Sequence, residues 1–206
     1  MVVSHASILI LQGLSGALVG VVLFYLLGSL LIQRWIRIDA YQLALSMAVA
    51  FLVAIVCEVY LGKLYHLVTG RPLWQYRVWP IHDGYTSALN MIVWPVYGYY
   101  VYFLHQVLLT RRIDIRPRWL KGIASGFDGP LLEILANGFF LLFYGTFYFY
   151  YLPDDLRHYT SIQVMPLYMI MGVILTLLLE YLQQCPPRWH YPAGFYIAGV
   201  GFVLAG

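Results

Sequence analysis

Long apolar stretches broken by short polar ones set the pattern of this chain. Helices are predicted at 7–33, 41–69, 85–110, 120–145, 159–184 and 192–206. Runs of roughly 18 or more apolar residues recur, the length a spanning helix needs. They lack the period-two alternation of barrel strands, and hydrocarbon offers no water to unpaired backbone groups, so helices remain. The pattern predicts an all-α polytopic transmembrane bundle of about six helices. It reads as one transmembrane domain, 1–206, with a first helix (1–40), two helical pairs (41–110 and 120–184) and a last short helix (192–206). That last run spans about 22 Å as a helix, less than a typical hydrocarbon core. Its "AGFYIAGVGFVLAG", like "GLSGALVG" in the first helix, offers small residues for close helix approach.

Composition sharpens this reading. The chain is 62% hydrophobic and only 10% charged, whereas soluble domains carry ~25% charged residues. The opening "MVVSHASILILQGLSG" lacks a basic leader and reads as a retained first helix. Eight of the twelve Lys and Arg fall in the connections after helices one, three and five, five of them in "RRIDIRPRWLK". This bias makes that side cytoplasmic, in a multi-pass protein of the cell's inner (plasma) membrane with both termini outside. The net charge of +3 is no ground for a nucleic-acid partner. Membrane lipids, and other membrane subunits, are the expected partners.

An internal duplication is also legible. Glu58 precedes Gly70 by twelve residues, as Glu133 precedes Gly145. Aromatic segments follow, then "GYTS" at 84–87 and "HYTS" at 158–161, with Gly98 and Gly172 twelve residues past each Thr. Glu is scarce, occurring only at 58, 133 and 180, and two of the three head these units. Two helices per unit predict parallel copies about an axis along the membrane normal.

Candidate chemistry follows from the polar residues within apolar runs. Glu58, in "FLVAIVCEVYLG", lies near the middle of its helix. A bare carboxylate there costs at least ~2.5 kcal/mol, so it needs a proton, a cation, hydrogen bonds or a wet cavity. Glu133 is its mate, with Asn137 one turn on, and Asn90 follows Thr86 by four. Glu58, Glu133, Asn90 and Asn137 are therefore the expected ligand-binding set, with a function-neutral hydrogen-bond network as the alternative. The loop "RPLWQYRVWPIHDGYTS" supplies Arg71, Trp74, Arg77, Trp79, His82 and Asp83 as outer-gate or headgroup contacts, with Thr86 or Ser87 capping the next helix.

Cys57 and Cys185 show no ligand spacing; Cys57 reads as a packing residue. His66 and His105 fall near opposite ends of their helices, too far apart to clamp one haem. Neither a metal site nor a cofactor is expected, and there is no P-loop.

"CEVYLGKLYHLVTG" and "DGYTSALNMIVWPVYG" resemble the CmpB-like ABC-transporter type IV membrane family. Its pattern of a helical Glu, an aromatic or basic loop, a Gly turn and P-x-Y-G corresponds to Glu58, Arg71 to His82, Gly84, and Pro95, Tyr97 and Gly98. The resemblance covers about residues 50–105, with a fainter echo after Glu133 that lacks P-x-Y-G. It implies a small multi-pass protein of a transport system and brings no catalytic residues. The leading reading is transport or binding of a small solute, ion or lipidic ligand between two repeats. The alternatives are an accessory subunit of a larger membrane complex and a membrane-embedded enzyme acting on lipid or isoprenoid.

Overall fold

A computed structural model describes residues 5–113, 115–117 and 119–206. Within them lie six α-helices: α1 (His5–Ile32), α2 (Ala40–Thr69), α3 (Asn90–Thr110), α4 (Trp119–Tyr144), α5 (Met165–Gln184) and α6 (His190–Leu204). Four helical stretches, Ser7–Ile32, Ala40–Thr69, Trp119–Tyr144 and Ile162–Gln184, are long and apolar enough to cross a bilayer. They mark the chain as an integral membrane protein. Large apolar side chains such as Leu11, Leu18, Leu30, Leu67, Leu135 and Leu142 are exposed, the surface expected where lipid rather than water is the solvent. Of the basic stretch, Arg118 lies outside the described residues.

Local signals fix the helix ends. Asp39 caps α2 by accepting a hydrogen bond from the Gln42 amide at 3.0 Å. The helix stops at Gly70 in the left-handed conformation, φ 76°. Gly145, just past α4, adopts φ 68°, and glycine takes this conformation without a Cβ penalty. The helices pack as two tight pairs, α2 with α3 and α4 with α5. A Cβ on Gly98 would overlap the Ser46 carbonyl, and one on Gly172 the Ser125 hydroxyl. Each glycine therefore sets how closely its pair approaches.

The connections at one end of the bundle are folded. In the first lie β1 (Trp74–Tyr76), β2 (Pro80–Ile81) and β3 (Thr86–Ser87); in the second lies β4 (Phe149–Tyr151). β2 pairs with β3. β1 pairs antiparallel with β4 in the register Trp74↔Tyr151, Gln75↔Tyr150, Tyr76↔Phe149, which ties the two connections together. At the other end, Arg111 donates to the Leu31 carbonyl and Lys121 pairs with Glu180 at 3.0 Å.

Two expectations are corrected here. The third and fifth helices start at Asn90 and Met165 rather than 85 and 159, because a strand or a 3-10 turn precedes each. Neither Thr86 nor Ser87 caps α3, whose start at Leu89 has no side-chain cap. Thr86 is drawn to Glu58 instead, and Ser87 donates to the Val78 carbonyl at 2.6 Å.

Gly98→Ala and Gly172→Ala should each destabilise the protein by about 1–3 kcal/mol, the typical cost of forcing extra atoms into a packed contact. Gly138→Ala, where an added methyl meets open space, should leave the thermal midpoint in detergent almost unmoved. Equal midpoints for all three variants would refute this account of the helix pairs.

Candidate functional site

Tyr76 is buried rather than solvated, because its hydroxyl reaches inward to Glu58. The Glu58 Oε1 atom accepts from Tyr76, while Oε2 accepts from the Thr86 hydroxyl at 2.6 Å, the Asn90 amide at 3.0 Å and the Trp94 indole at 3.1 Å. Around Glu133, Oε1 accepts from Tyr151 at 2.7 Å and Tyr168 at 2.9 Å, and Oε2 from Thr160 at 2.5 Å. Tyrosine follows its glutamate by 18 residues in both cases, threonine by 28 and 27, and Trp94 or Tyr168 by 36 and 35. The β1–β4 pairing is what brings Tyr76 and Tyr151 inward. Burial, reinforced by the neighbouring glutamate, holds both phenols well above their ordinary pKa, so they remain donors.

The two carboxylates belong to one site. With Cys57, Trp74, Trp94, Tyr151 and Tyr168 they line a cavity of about 30 Å³, room for about two waters. Both acids are half-buried and carry surface of their own. Among the described residues no salt bridge reaches either one; Lys63 pairs with Asp83 at 3.4 Å and Lys121 with Glu180. Glu133 also faces a larger cavity, about 310 Å³, between α1, α3 and α4, which Asn90, Trp94, Tyr97 and Tyr148 share.

The rings differ in donor type. Two of the Glu58 donors are N–H groups, which cannot accept. Their common acceptor, Oε2, is thereby kept unprotonated. Every Glu133 donor is a hydroxyl, which can reverse and accept a proton from the acid. The ring around Glu133 therefore leaves either oxygen able to take a proton; the one around Glu58 leaves only Oε1, which meets the Tyr76 hydroxyl.

Not all of the expected residues meet here. Asn90 and Asn137 are both fully buried, but only Asn90 touches a carboxylate. Asn137 holds backbone: its Oδ1 accepts from the Tyr148 and Phe149 amides at 3.1 and 3.3 Å, and its amide donates to the Tyr159 carbonyl at 2.8 Å. The Tyr148 hydroxyl donates to Asn90 at 2.7 Å and so couples the two loops. Trp74 is buried, donating to the Tyr85 carbonyl at 2.9 Å, and lines the cavity that holds the two carboxylates. Arg77 lies over the Tyr150 ring, His82 stacks on Phe202, and Asp83 meets Lys63. Arg71 and Trp79 are exposed. Tyr76, Trp94, Tyr151 and Tyr168 escaped the sequence reading, although their matched offsets from the glutamates carried a signal.

The fold and the site define an integral membrane protein of the all-α helix-bundle class with a pair of hydrogen-bonded intramembrane carboxylates. No family model, curated protein or solved structure matches the chain.

Asn137→Leu should destabilise the protein by about 1–3 kcal/mol for each backbone group left unpaired. Thermal unfolding in mild detergent measures this. A variant as stable as the parent would remove Asn137 from the scaffold.

Proposed function

We propose that this protein is a membrane carrier or binding protein whose Glu58–Glu133 centre takes up a proton or a small monovalent cation. One observation carries the reading: two carboxylates line one small cavity inside the bundle with hydrogen bonds but, among the described residues, no cationic partner. Solvation by donors lowers the cost of negative charge without neutralising it, so a cation remains the missing counterpart. Glu133, with reversible hydroxyls on both oxygens, is the readier of the two to exchange protons; at Glu58 only Oε1, against Tyr76, can do so. The adjoining larger cavity suits a solute or lipidic ligand whose binding is coupled to that exchange.

The same reading treats 41–110 and 120–184 as parallel copies of one helical pair. The matched offsets, the left-handed Gly70 and Gly145, and the close-packed Gly98 and Gly172 support this. The excess of positive charge supports a cytoplasmic position for the arginine-rich end.

Purified protein in liposomes, with a trapped pH dye and a potassium diffusion potential, measures proton uptake; radiolabelled sodium measures the alternative ion. Glu133→Gln should reduce the conducted flux roughly tenfold or more, as expected for an ionisable group in a transport path. Glu58→Gln should reduce it too while folding normally, since its amide oxygen can face the N–H donors. Flux of neither ion above protein-free liposomes, or equal flux in all three proteins, overturns the proposal.

A further inference from the structure

Beyond the acid pair, the polar groups of the arginine-rich end form a connected series. An open cleft of about 630 Å³ is lined by His105, Arg116, Lys121, Glu180, Gln183 and Gln184. The Lys121–Glu180 ion pair joins α4 to α5 there. A narrower cavity of about 90 Å³ shares His105, Lys121, Glu180 and Gln183 with the cleft, and continues inward to Ser125, Thr176, Asp128 and Tyr97. Tyr97 alone also lies on the wall of the 310 Å³ cavity that reaches Glu133. The first two spaces thus share a wall of four residues, and the second and third adjoin through Tyr97.

Asp128 gives the narrow part its chemistry. Its Oδ2 accepts from the Tyr100 hydroxyl at 2.9 Å. Its Oδ1, although buried, finds no hydrogen-bond partner among the described residues. A buried acceptor left unpaired beside a cavity is destabilising unless water or a cation comes to it. Asp128 precedes Glu133 by five residues on α4, about 7.5 Å along the helix axis. At the opposite end Tyr76, Tyr148, Tyr151, Thr86 and Thr160 are buried within the connecting segments.

We propose that Asp128 and Tyr100 form a second cation station, through which a small cation passes from the arginine-rich end to the Glu58–Glu133 chamber, and that Tyr97 closes the path between them. The cation is the one assigned above, so the proposal rests on that reading for its purpose, but its geometry can be tested without any flux. At the other end the paired strands β1 and β4 carry the tyrosines that contact the two carboxylates. A route through the lipid would cross hydrocarbon, which excludes ions.

The test uses thiol reactivity with silver ion in oriented vesicles. The chain supplies its own reporter, since Cys57 lines the acid chamber. Cys185→Ser removes the other thiol; Thr176→Cys and Gln183→Cys report the narrow cavity and the cleft, each with Cys57→Ala. All three thiols should react when silver is added at the arginine-rich face, and Cys57 should stay unmodified when it is added at the other. Asp128→Asn, which still accepts from Tyr100, should slow the reaction of Cys57 but not that of Gln183→Cys. Tyr97→Ala should speed Cys57 roughly tenfold, as removal of a pore constriction does.

Reaction of Cys57 from both faces, or from the paired-loop face first, overturns the proposal. So does an inert Cys57 beside a reactive Thr176→Cys, because the path would then end short of the chamber. A failed flux assay with this labelling order intact counts against the assigned function and leaves the path standing.

Discussion

A carboxylate inside a bilayer must be solvated by the protein, and this requirement shapes the structure around Glu58 and Glu133. Hydrocarbon supplies no donors, and Lys63 and Lys121 are paired with Asp83 and Glu180 instead. Donors must come from segments that can reach mid-membrane, and a helix offers only the side chains along one face. The connecting loops supply the rest. Tyr76 and Tyr151 come from β1 and β4, Thr86 and Thr160 from the segments before α3 and α5. The loops fold inward because their hydroxyls are needed inside. Their own backbone groups must then be paired, which the β1–β4 ladder and Asn137 accomplish.

This explains which features could be read from the residues alone. Glu58 and Glu133 stand out because ionised side chains are rare in such runs, and Thr86 and Thr160 because a short pattern recurs at nearly constant distance. Tyr76 and Tyr151 share an offset of 18 from their glutamates, but among 19 tyrosines that match is easily overlooked, since an interfacial ring and a buried donor look alike. The aromatic loop has the composition of a membrane-surface segment, yet Trp74 and Tyr76 point into the bundle. Asn137 shows the converse. One turn from Glu133 on the same helix, it fits the pattern of a ligand, but backbone left unpaired by the loop claims it. Helical spacing says which side chains share a face, not which competing partner wins.

Asp128 was passed over for a related reason. It sits in "ASGFDGP", whose glycines and proline disguise its depth in α4. The structure sets it beside Tyr100 and Tyr97, on the side of the bundle where α4 and α5 meet the arginine-rich connections. The glycines serve packing. A side chain at Gly122, Gly126 or Gly129 would collide with Val173, Met169 or Tyr168. The segment is thus glycine-rich because α5 lies against it, and Asp128 sits within a tight helix crossing rather than a loop.

The two carboxylates have matched surroundings yet are not interchangeable. The tyrosine and threonine of each ring occupy corresponding places, while the remaining donors diverge: Asn90 and Trp94 beside Glu58, Tyr168 alone beside Glu133. An N–H donor keeps its acceptor oxygen unprotonated; a hydroxyl can serve either state. At Glu58 this leaves only Oε1, against the Tyr76 hydroxyl, to take a proton, whereas at Glu133 both oxygens meet hydroxyls that can reverse. The two acids therefore face one small cavity with different freedom to change state, and neither needs the backbone to rearrange to do so.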